Sequence, residues 1–222
     1  MEQTPVHEGH NPDLLAIIPL NVRRIVEVGC SSGSLAREFK KLGGKADYTG
    51  IEIDPEYAQL AARYCDRVLT LDIESVDAAC LKATMPCDCW VFGDTLEHLR
   101  DPWALLARIR SVIPADGCVA ACIPNAQHWS VQAALSVGAF RYQSSGLLDR
   151  THLRWFTRTT IAEMFQGAGF RILKWRPRVF DEPARAGLLP HIRALAAAAG
   201  GSPEIAGQDA VPLQYVCLAV PT

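Results

Sequence analysis

Short apolar runs alternate with stretches of helical spacing through the first half of the sequence, and this alternation constrains the fold more than any other feature. The apolar runs lie at 24–29, 48–53, 67–71, 89–92 and 117–123. The helical stretches lie at 12–18, 34–42, 55–64 and 102–113. The run at 119–123 has no polar face, so both faces of its strand must be covered. The pattern predicts an α/β fold in which helices cover both faces of a parallel sheet.

The alternation breaks at two places in the second half of the sequence. Residues 124–157 are mixed in character, and residues 181–210 are rich in alanine, glycine and proline. Between and after them, a helix is predicted at 159–168 and strands at 170–180 and 213–220. The segment 181–210 is predicted to hold a short helix and a loop. Because 222 residues fit one large domain better than two small ones, we expect a single domain over 1–222 with two insertions, 124–157 and 181–210.

Charge and cysteine content exclude several kinds of partner and site. Lys and Arg number 22 against 24 Asp and Glu, so the chain lacks the basic balance typical of proteins that bind nucleic acid. No apolar run reaches the ~20 residues of a membrane span. Residues 1–13 lack the features of a signal peptide, so we expect a cytoplasmic protein. Among the eight cysteines only Cys87 and Cys89 lie close together, so we predict buried free thiols and no metal site.

The segment that follows the first apolar run has the composition of a ligand-binding loop. It reads EVGCSSGS over residues 27–34. Small residues let a ligand approach the backbone closely, and the amide groups of the helix predicted at 34–42 lie directly behind them. Glu52 follows 19 residues after Gly33, at the end of the next predicted strand. A carboxylate at that position can accept hydrogen bonds from both hydroxyls of a ribose.

This loop contains only two glycines, Gly29 and Gly33. The dinucleotide fingerprint of dehydrogenases has a third glycine, and a phosphate-binding P-loop has a Gly-Lys-Ser/Thr sequence that does not follow here. The spacing therefore argues against a nicotinamide-dependent oxidoreductase. A purely structural glycine turn is the other alternative, and the position of Glu52 argues against it.

Together these motifs resemble those of class I S-adenosylmethionine-dependent methyltransferases. Segment 27–33 is similar to that family's first motif, 50–54 to its second, Asp72-Ile73 to the pair that meets the adenine, and 92–102 to its LEH-x-x-DP stretch. The motifs follow one another in the expected order over 24–123. The resemblance implies a Rossmann-like, seven-stranded, mostly parallel sheet whose last strand, 213–220, inserts antiparallel between the fifth and the sixth.

The same resemblance implies an enzyme, its cofactor and the residues that hold it. S-adenosylmethionine is the expected cofactor and S-adenosylhomocysteine its product, both bound by the half of the domain at 24–123. Ser31 stands where the family commonly has a middle glycine. Glu52 is expected at the ribose and Asp94 at the methionine amino group. The full expected cofactor set is Glu27, Gly29, Cys30, Ser31, Gly33, Ser34, Glu52, Ile53, Asp72, Ile73, Asp94 and Leu96.

The second half is similar to a bacterial subgroup that resembles the ubiquinone-type O-methyltransferases. The similarity is carried by Ile123-Pro124-Asn125 and by 146–157, which reads GLLDRTHLRWFT. It implies methyl transfer to an oxygen of a small molecule or a glycan precursor, by in-line displacement at the sulfonium methyl. A general base helps when the acceptor is a hydroxyl, and histidine suits neutral pH. The candidate catalytic residues are His98, His128 and His152.

Each candidate histidine also has a structural interpretation. His98 can buttress its loop, and His128 can lie in an ordinary surface loop. His152 can belong to a clamp that packs Trp155 and Phe156 onto the sheet. A protein that binds S-adenosylmethionine without catalysis, as a regulatory or partner subunit, remains an alternative to an enzyme.

The insertion at 124–157 is the expected cover of the acceptor site. Four of its aromatic residues can wall that site or form a small core of their own: Phe140, Tyr142, Trp155 and Phe156. Four arginines in and beside it can select an acidic acceptor or form a solvated face: Arg141, Arg150, Arg154 and Arg158. The segment 181–210 can lie over the acceptor, form a homodimer contact, or be loose.

Overall fold

One sheet of seven strands organises residues 8–222, the part of the chain that the computed structural model describes. The strands are β1 (Arg24–Val28), β2 (Asp47–Glu52), β3 (Arg67–Thr70), β4 (Cys89–Gly93), β5 (Cys118–Pro124), β6 (Phe170–Arg178) and β7 (Gln214–Pro221). Their spatial order is β3-β2-β1-β4-β5-β7-β6, and β7 runs antiparallel to both neighbours while the other pairs are parallel. The predicted sheet, with an antiparallel last strand inserted between the fifth and the sixth, is confirmed.

The strand order reverses between β1 and β4, and this reversal opens a crevice at their carboxyl ends. β1 pairs with β2 on one side and with β4 on the other. The connections after β1 and β4 lead away from each other, so the space between them is left free for a ligand. Gly29, Glu52 and Asp94, each at or directly after a strand end, therefore meet at one edge of the sheet.

Within the described residues nine helices flank the sheet, and local sequence signals determine where several of them begin. They are α1 (Pro12–Ile17), α2 (Ser34–Lys41), α3 (Pro55–Ala61), α4 (Ala78–Thr84), α5 (Pro102–Val112), α6 (Trp129–Ser136), α7 (Arg158–Gly167), α8 (Arg185–Ala198) and α9 (Pro203–Asp209). α1, α3 and α5 start with a proline, and the side chain before it (Asn11, Asp54 or Asp101) accepts hydrogen bonds from first-turn N–H groups. Thr157 and Thr160 form a capping box at α7.

Helices on the two faces of the sheet enclose two apolar cores. Trp90 and Phe92 of β4 belong to the core shared with α5 and α7. Cys89 and Val91 belong to the core shared with α1 and α2. This division follows from the strand period of two, which sends successive side chains to opposite faces. Each large apolar side chain buried in this way contributes roughly 1.5–3 kcal/mol, so the predicted coverage of both faces is a main source of stability.

The segment 181–210 differs from its prediction, because it holds two helices, α8 and α9, in place of one short helix and a loop. The two helices pack against each other, and α8 also packs against α6. Their small core contains Ile192, Ala206 and Ala210. An alanine-rich stretch has high helix propensity but lacks the broad apolar stripe that periodicity detects, so the length of α8 was not predictable from spacing.

Two further departures lie in the irregular stretches. α4 and α6 were not predicted, and each buries one large apolar residue, Leu81 and Val131. The last predicted residues of the sixth strand, 179–180, lie beyond the end of β6 at Arg178. β6 is an edge strand with an irregular register between Ile172 and Lys174, and edge strands bury too little for the pattern to mark their ends sharply.

The cysteines behave as core residues. All eight are free, and all but Cys80 on α4 are buried, as predicted for most of them. As for membrane insertion, no helix in residues 8–222 has both the length and the apolar character that a bilayer span requires.

Candidate active site

A cavity of about 780 Å³ opens at the carboxyl ends of β1, β2 and β4. Its wall consists of the loop after β1, the ends of β2 and β3, residues 93–95, 97–100, 145–147, 149–153 and 213–214, and parts of 9–14. The volume falls in the range of about 300–1,000 Å³ typical of small-molecule sites. The cavity therefore joins the motifs of the first half to the 145–153 segment of the first insertion.

Backbone conformation explains the two glycines of the loop after β1. Gly29 has φ +71°, and a Cβ there would lie 2.8 Å from Thr95 Oγ1. Gly33 has φ +74°, and a Cβ there would lie 3.0 Å from Ala61 Cα. Both residues must be glycine because the left-handed conformation and the close contacts exclude a side chain. Gly29 lines the cavity, whereas Gly33, contrary to expectation, does not, and its lack of a side chain lets α2 approach α3.

Ser31 adopts φ +47°, the left-handed region, at the position where the family commonly has glycine. A residue with a Cβ pays roughly 1–2 kcal/mol in that conformation. Its N–H donates to Glu52 Oε2 at 2.9 Å, and this bond helps to hold the loop in place. Cys30 and Ser31 line the cavity as expected.

Glu52, the last residue of β2, is buried against the loop and held by backbone donors. Its carboxylate accepts hydrogen bonds from the N–H groups of Ser31 (2.9 Å), Ile53 (2.8 Å) and Asp54 (3.1 Å). An ionised carboxylate offers about four acceptor positions, so acceptor capacity remains toward the cavity that Glu52 lines. The glycine loop beside it lets a ligand approach the backbone closely. This donor–acceptor set fits the adenosine part of S-adenosylmethionine.

Asp72 begins the turn after β3, and its side chain is already paired. Oδ1 accepts from the Glu74 N–H at 2.9 Å, and Oδ2 accepts from Arg100 Nη2 at 2.7 Å. Asp72 lines the cavity with the apolar side chains of Ile53 and Ile73, as expected for an adenine site. Arg100 was not among the expected site residues, although it lies within the LEH-x-x-DP stretch.

Glu27 and Ser34 occupy the two ends of the loop. Glu27 is buried within the sheet, and this burial raises the pKa of its carboxyl well above the usual value. The Tyr48 hydroxyl donates a hydrogen bond to Glu27 Oε2 at 2.9 Å. The Ser34 hydroxyl donates to the Gly9 carbonyl at 2.7 Å and so ties residues 9–11 to the cavity. Both residues line the cavity.

Asp94 follows β4 in a left-handed conformation, with φ +54°. The Gln214 amide and the Cys122 thiol both donate to Asp94 Oδ1. Asp94 lines the cavity, as expected. Leu96, contrary to expectation, does not line the cavity, because its side chain is fully buried in the core beneath. The short turn at Leu96–His98 directs Leu96 inward while Glu97 and His98 line the cavity.

The structure brings Glu97, His98 and His152 together on the cavity wall. His98 and His152 rings meet edge to face with centroids 4.8 Å apart, and His152 Nε2 lies 3.9 Å from Glu97 Oε1. Glu97 is 1% exposed, and neither carboxylate oxygen has a hydrogen-bond partner. Burial, with repulsion from Asp94 and Asp149, raises the pKa of Glu97 well above its usual value.

The two histidines differ in basicity. Burial lowers the pKa of His98, while the Thr151 carbonyl and Asp149 oppose that shift. Burial and the nearby His98 lower the pKa of His152 to about 4. Both imidazoles are therefore neutral at pH 7, and His98 is the better proton acceptor.

His128 does not line the cavity, contrary to expectation, and its side chain is fully buried. It occupies the N-cap position of α6, with Nδ1 2.8 Å from Ser130 Oγ. Its Nε2 lies 3.1 Å from Glu182 Oε2, which also accepts from Trp129 Nε1 at 3.0 Å. This pairing holds the start of α6 against the segment before α8, so the ring turns away from the cavity.

The insertion aromatics form a small cluster of their own and do not line the cavity. Phe140 packs on Trp155 at 5.4 Å and on Tyr142 at 5.9 Å between ring centroids. Phe156 is buried in the main core. Arg150 is the one arginine of the predicted group of four that lines the cavity.

Within residues 8–222, Glu97, His98 and His152 are the group that could hold a metal ion, with ligand atoms within 4.8 Å of one another. The absence of a metal stays a prediction.

The glycine loop, the carboxylate at the end of β2 and the sheet order define a class I methyltransferase. The chain belongs to the methyltransferase domain family, whose model matches residues 10–174. It is thus an S-adenosylmethionine-dependent methyltransferase, and S-adenosylmethionine is its cofactor.

Relatives of known name agree with this assignment. The ubiquinone biosynthesis O-methyltransferase of Cereibacter sphaeroides is 26% identical over 174 residues, which are 76% of this chain and 68% of that protein. The enzyme of the same name from Rhodopseudomonas palustris is 28% identical over 146 residues, 64% of this chain and 55% of that protein. Among solved structures, magnesium protoporphyrin IX methyltransferase from Synechocystis with bound S-adenosylhomocysteine has a TM-score of 0.61 at 14% identity, covering 95% of this chain and 80% of that one. That likeness shows the shared fold.

Proposed function

We propose that the protein transfers the methyl group of S-adenosylmethionine to an oxygen atom of a small-molecule acceptor. The observation that carries the proposal is the continuity of the cavity, which joins Glu52 and Asp72 to His98 and His152. One cavity of about 780 Å³ can therefore hold cofactor and acceptor side by side. The ubiquinone O-methyltransferase relatives support oxygen as the acceptor atom, and a glycan precursor carries hydroxyls of the same chemistry.

Cofactor binding is assigned to residues that line the cavity. S-adenosylmethionine supplies a methyl group on a positively charged sulfur, which is activated for transfer before it reaches the protein. Glu52 would accept hydrogen bonds from the ribose, and Asp94 from the methionine amino group. Ile53 and Ile73 would contact the adenine. Glu27, Gly29, Cys30, Ser31, Ser34 and Asp72 complete the proposed set.

The chemistry left to the chain is alignment and proton removal. When bound, S-adenosylmethionine would supply the methyl carbon to the acceptor oxygen, and its sulfur would leave with the electron pair of the carbon–sulfur bond as S-adenosylhomocysteine. The acceptor hydroxyl proton must then leave, and we assign it to His98, since the pKa of His152, about 4, makes that ring a poor acceptor. Alignment of two reactants in a closed site contributes a further several kcal/mol to the rate.

The insertion at 124–157 takes part through residues 145–153, which line the cavity on the acceptor side. Arg150 lies among them and would favour an acceptor with an acidic group. We also propose that 1–222 functions as one domain, because the cavity uses residues from both halves. α8 and α9 contribute no residue to its wall, so a direct role for 181–210 at the acceptor is not part of the proposal.

Methyl transfer from radiolabelled S-adenosylmethionine to a panel of phenols and sugar alcohols tests the proposal. We expect a labelled methyl ether, and His98→Asn should lower kcat by about 10²–10⁴-fold, the usual contribution of a general base. Calorimetric affinity for S-adenosylmethionine should be retained. His191→Asn on the exposed face of α8 is the matched control and should retain full activity.

Two outcomes would contradict this function, and a third would change only the group that removes the proton. Binding of S-adenosylmethionine with no transfer to any hydroxyl would favour the non-catalytic alternative. Label on nitrogen or carbon would exclude the oxygen acceptor. Loss of activity in EDTA, restored by Mg²⁺, would replace the base at His98 with a metal ion held by Glu97, His98 and His152.

A further inference from the structure

The hydrogen bonds of His98 distinguish its two ring nitrogens. Nδ1 lies 3.2 Å from the Thr151 carbonyl oxygen and 3.1 Å from the Thr151 hydroxyl oxygen. A carbonyl oxygen has no proton to donate, so the first contact requires a proton on Nδ1. The geometry therefore selects one of the two neutral forms of the imidazole.

The Thr151 hydroxyl supports the same form from its other side. Its oxygen donates to Asp149 Oδ1 at 2.7 Å, and the Thr151 N–H donates to the same oxygen at 2.8 Å. Because the hydroxyl proton is directed to Asp149, only lone pairs face His98. Asp149 is 2% exposed, so water competes little for these bonds.

We propose that Thr151 and Asp149 are positioning residues that hold His98 as the Nδ1–H tautomer and leave Nε2 unprotonated as the base. The inference rests on the proposed function, in which His98 receives the acceptor proton. It adds the atom at which the proton arrives, Nε2, and the residues that select this atom.

The arrangement also accommodates the product of proton transfer. When Nε2 takes the acceptor proton, the ring becomes a cation with N–H groups at both nitrogens, and Nδ1–H still donates to Thr151. The titratable groups around it are Asp149 behind Thr151, Glu97 next to it in the chain, and the neutral His152 ring. His98, Thr151 and Asp149 need not move during this transfer, because Nδ1 carries its proton throughout.

The tautomer can be read by nitrogen NMR on the full chain labelled with ¹⁵N-histidine, with His98→Asn identifying the signal. At pH 7.5, without acceptor, we expect Nδ1 of His98 to carry the proton and Nε2 to be unprotonated. The opposite tautomer in the unmodified protein would overturn the proposal.

Two substitutions at Thr151 separate a positioning role from a packing role. Thr151→Val keeps the shape and removes the hydroxyl, whereas Thr151→Ser keeps the hydroxyl. Thr151→Val should shift part of the His98 signal to the Nε2–H form and lower kcat by about 10–100-fold, within the ~10²–10⁴ that a general base supplies. KM for S-adenosylmethionine should be unchanged, and Thr151→Ser should stay within about twofold of the unmodified enzyme on both measures.

The outcomes for this proposal and for the proposed function can be told apart. A valine variant with unchanged tautomer and unchanged kcat overturns the positioning role, even if His98 is the base. If His98→Asn retains full methyl transfer, the base assignment fails, while the tautomer spectrum still decides how Thr151 and Asp149 hold the ring. Circular dichroism of the valine variant confirms that it is folded.

Discussion

Two buried carboxyl groups line the same cavity and are held in opposite ways. Glu52, at the cofactor side, accepts three backbone N–H bonds within 3.1 Å. Glu97, at the histidine side, is equally buried, and neither of its oxygens has a partner. A buried polar atom without a partner costs about 1–3 kcal/mol, so such atoms are rare unless they have a function.

The difference shows how the two sides of the cavity are built. On the cofactor side, the Glu52 carboxylate already accepts three backbone hydrogen bonds before any ligand binds. The histidine side keeps the Glu97 carboxyl without a hydrogen-bond partner beside two neutral imidazoles, at the place where we propose that the acceptor proton is transferred to His98. We interpret the first as a rigid receptor and the second as a reactive region kept at a cost in stability.

The largest expected effect tests the cofactor side. Glu52→Ala should remove measurable binding of S-adenosylmethionine in calorimetry, because hydrogen bonds to a charged group contribute about 1.5–3 kcal/mol each and Ser31 also loses its acceptor. Glu56→Ala, an exposed glutamate on α3, is the control and should bind normally. An unchanged affinity for Glu52→Ala would contradict the ribose assignment.

A smaller effect, on stability, tests the histidine side. Burial raises the pKa of Glu97 above its usual 4.5, so the folded protein keeps a proton that the unfolded chain releases. The stability of the unmodified protein therefore decreases as pH rises from about 4.5 toward the raised pKa. Glu97→Gln cannot ionise, so its Tm relative to that of the unmodified protein should increase as the pH rises over that window. Each kcal/mol of difference in the free energy of unfolding corresponds to about 2–4 °C in Tm.

Thermal unfolding between pH 4.5 and 8.5 provides the measurement for Glu97→Gln. Glu56→Gln is the matched control, and its Tm difference should not change with pH. A pH-independent difference for Glu97→Gln would show that Glu97 is not the strained acid that its missing partners indicate.

The smallest expected effect concerns Ser31. Glycine at φ +47° removes roughly 1–2 kcal/mol of strain from the folded state. It also raises the conformational entropy of the unfolded chain, which lowers the free energy of unfolding by about 0.5–1 kcal/mol. Ser31→Gly should therefore change the free energy of unfolding by no more than about 1 kcal/mol in denaturant melts. Ser31→Val, with a branched side chain in the same conformation, should be clearly less stable. Equal stability of both variants would mean that the loop does not impose its conformation.

The cofactor side was largely predictable because its signals are local. A strand, a small-residue turn, a helix and a carboxylate at a fixed distance specify the loop after β1 and Glu52 without any knowledge of packing. Two expected residues, Gly33 and Leu96, do not line the cavity, because their orientation depends on packing against neighbours such as Ala61, which spacing does not reveal.

The histidine side was predictable only in part because its contacts join distant segments. His98 and Thr151 are 53 positions apart, and His128 pairs with Glu182 54 positions away. His98 and His152 were both named as candidates, but their proximity and the unpaired state of Glu97 depend on how the 145–153 segment folds back. For His128, a buried N-cap has the same local sequence as a loop histidine, so the sequence offered no signal that separates them.

The position of β7 has a consequence for the order of events during synthesis. Among residues 8–222, β6 has β7 as its one neighbour in the sheet, and β7 also pairs with β5. β6 therefore leaves the ribosome before its partner exists, and residues 181–213 must follow before the sheet can close. Until then the outer edge of β5 is an unpaired strand edge open to other chains. Since Gln214 of β7 donates to Asp94, the cavity wall also becomes complete only at that late step.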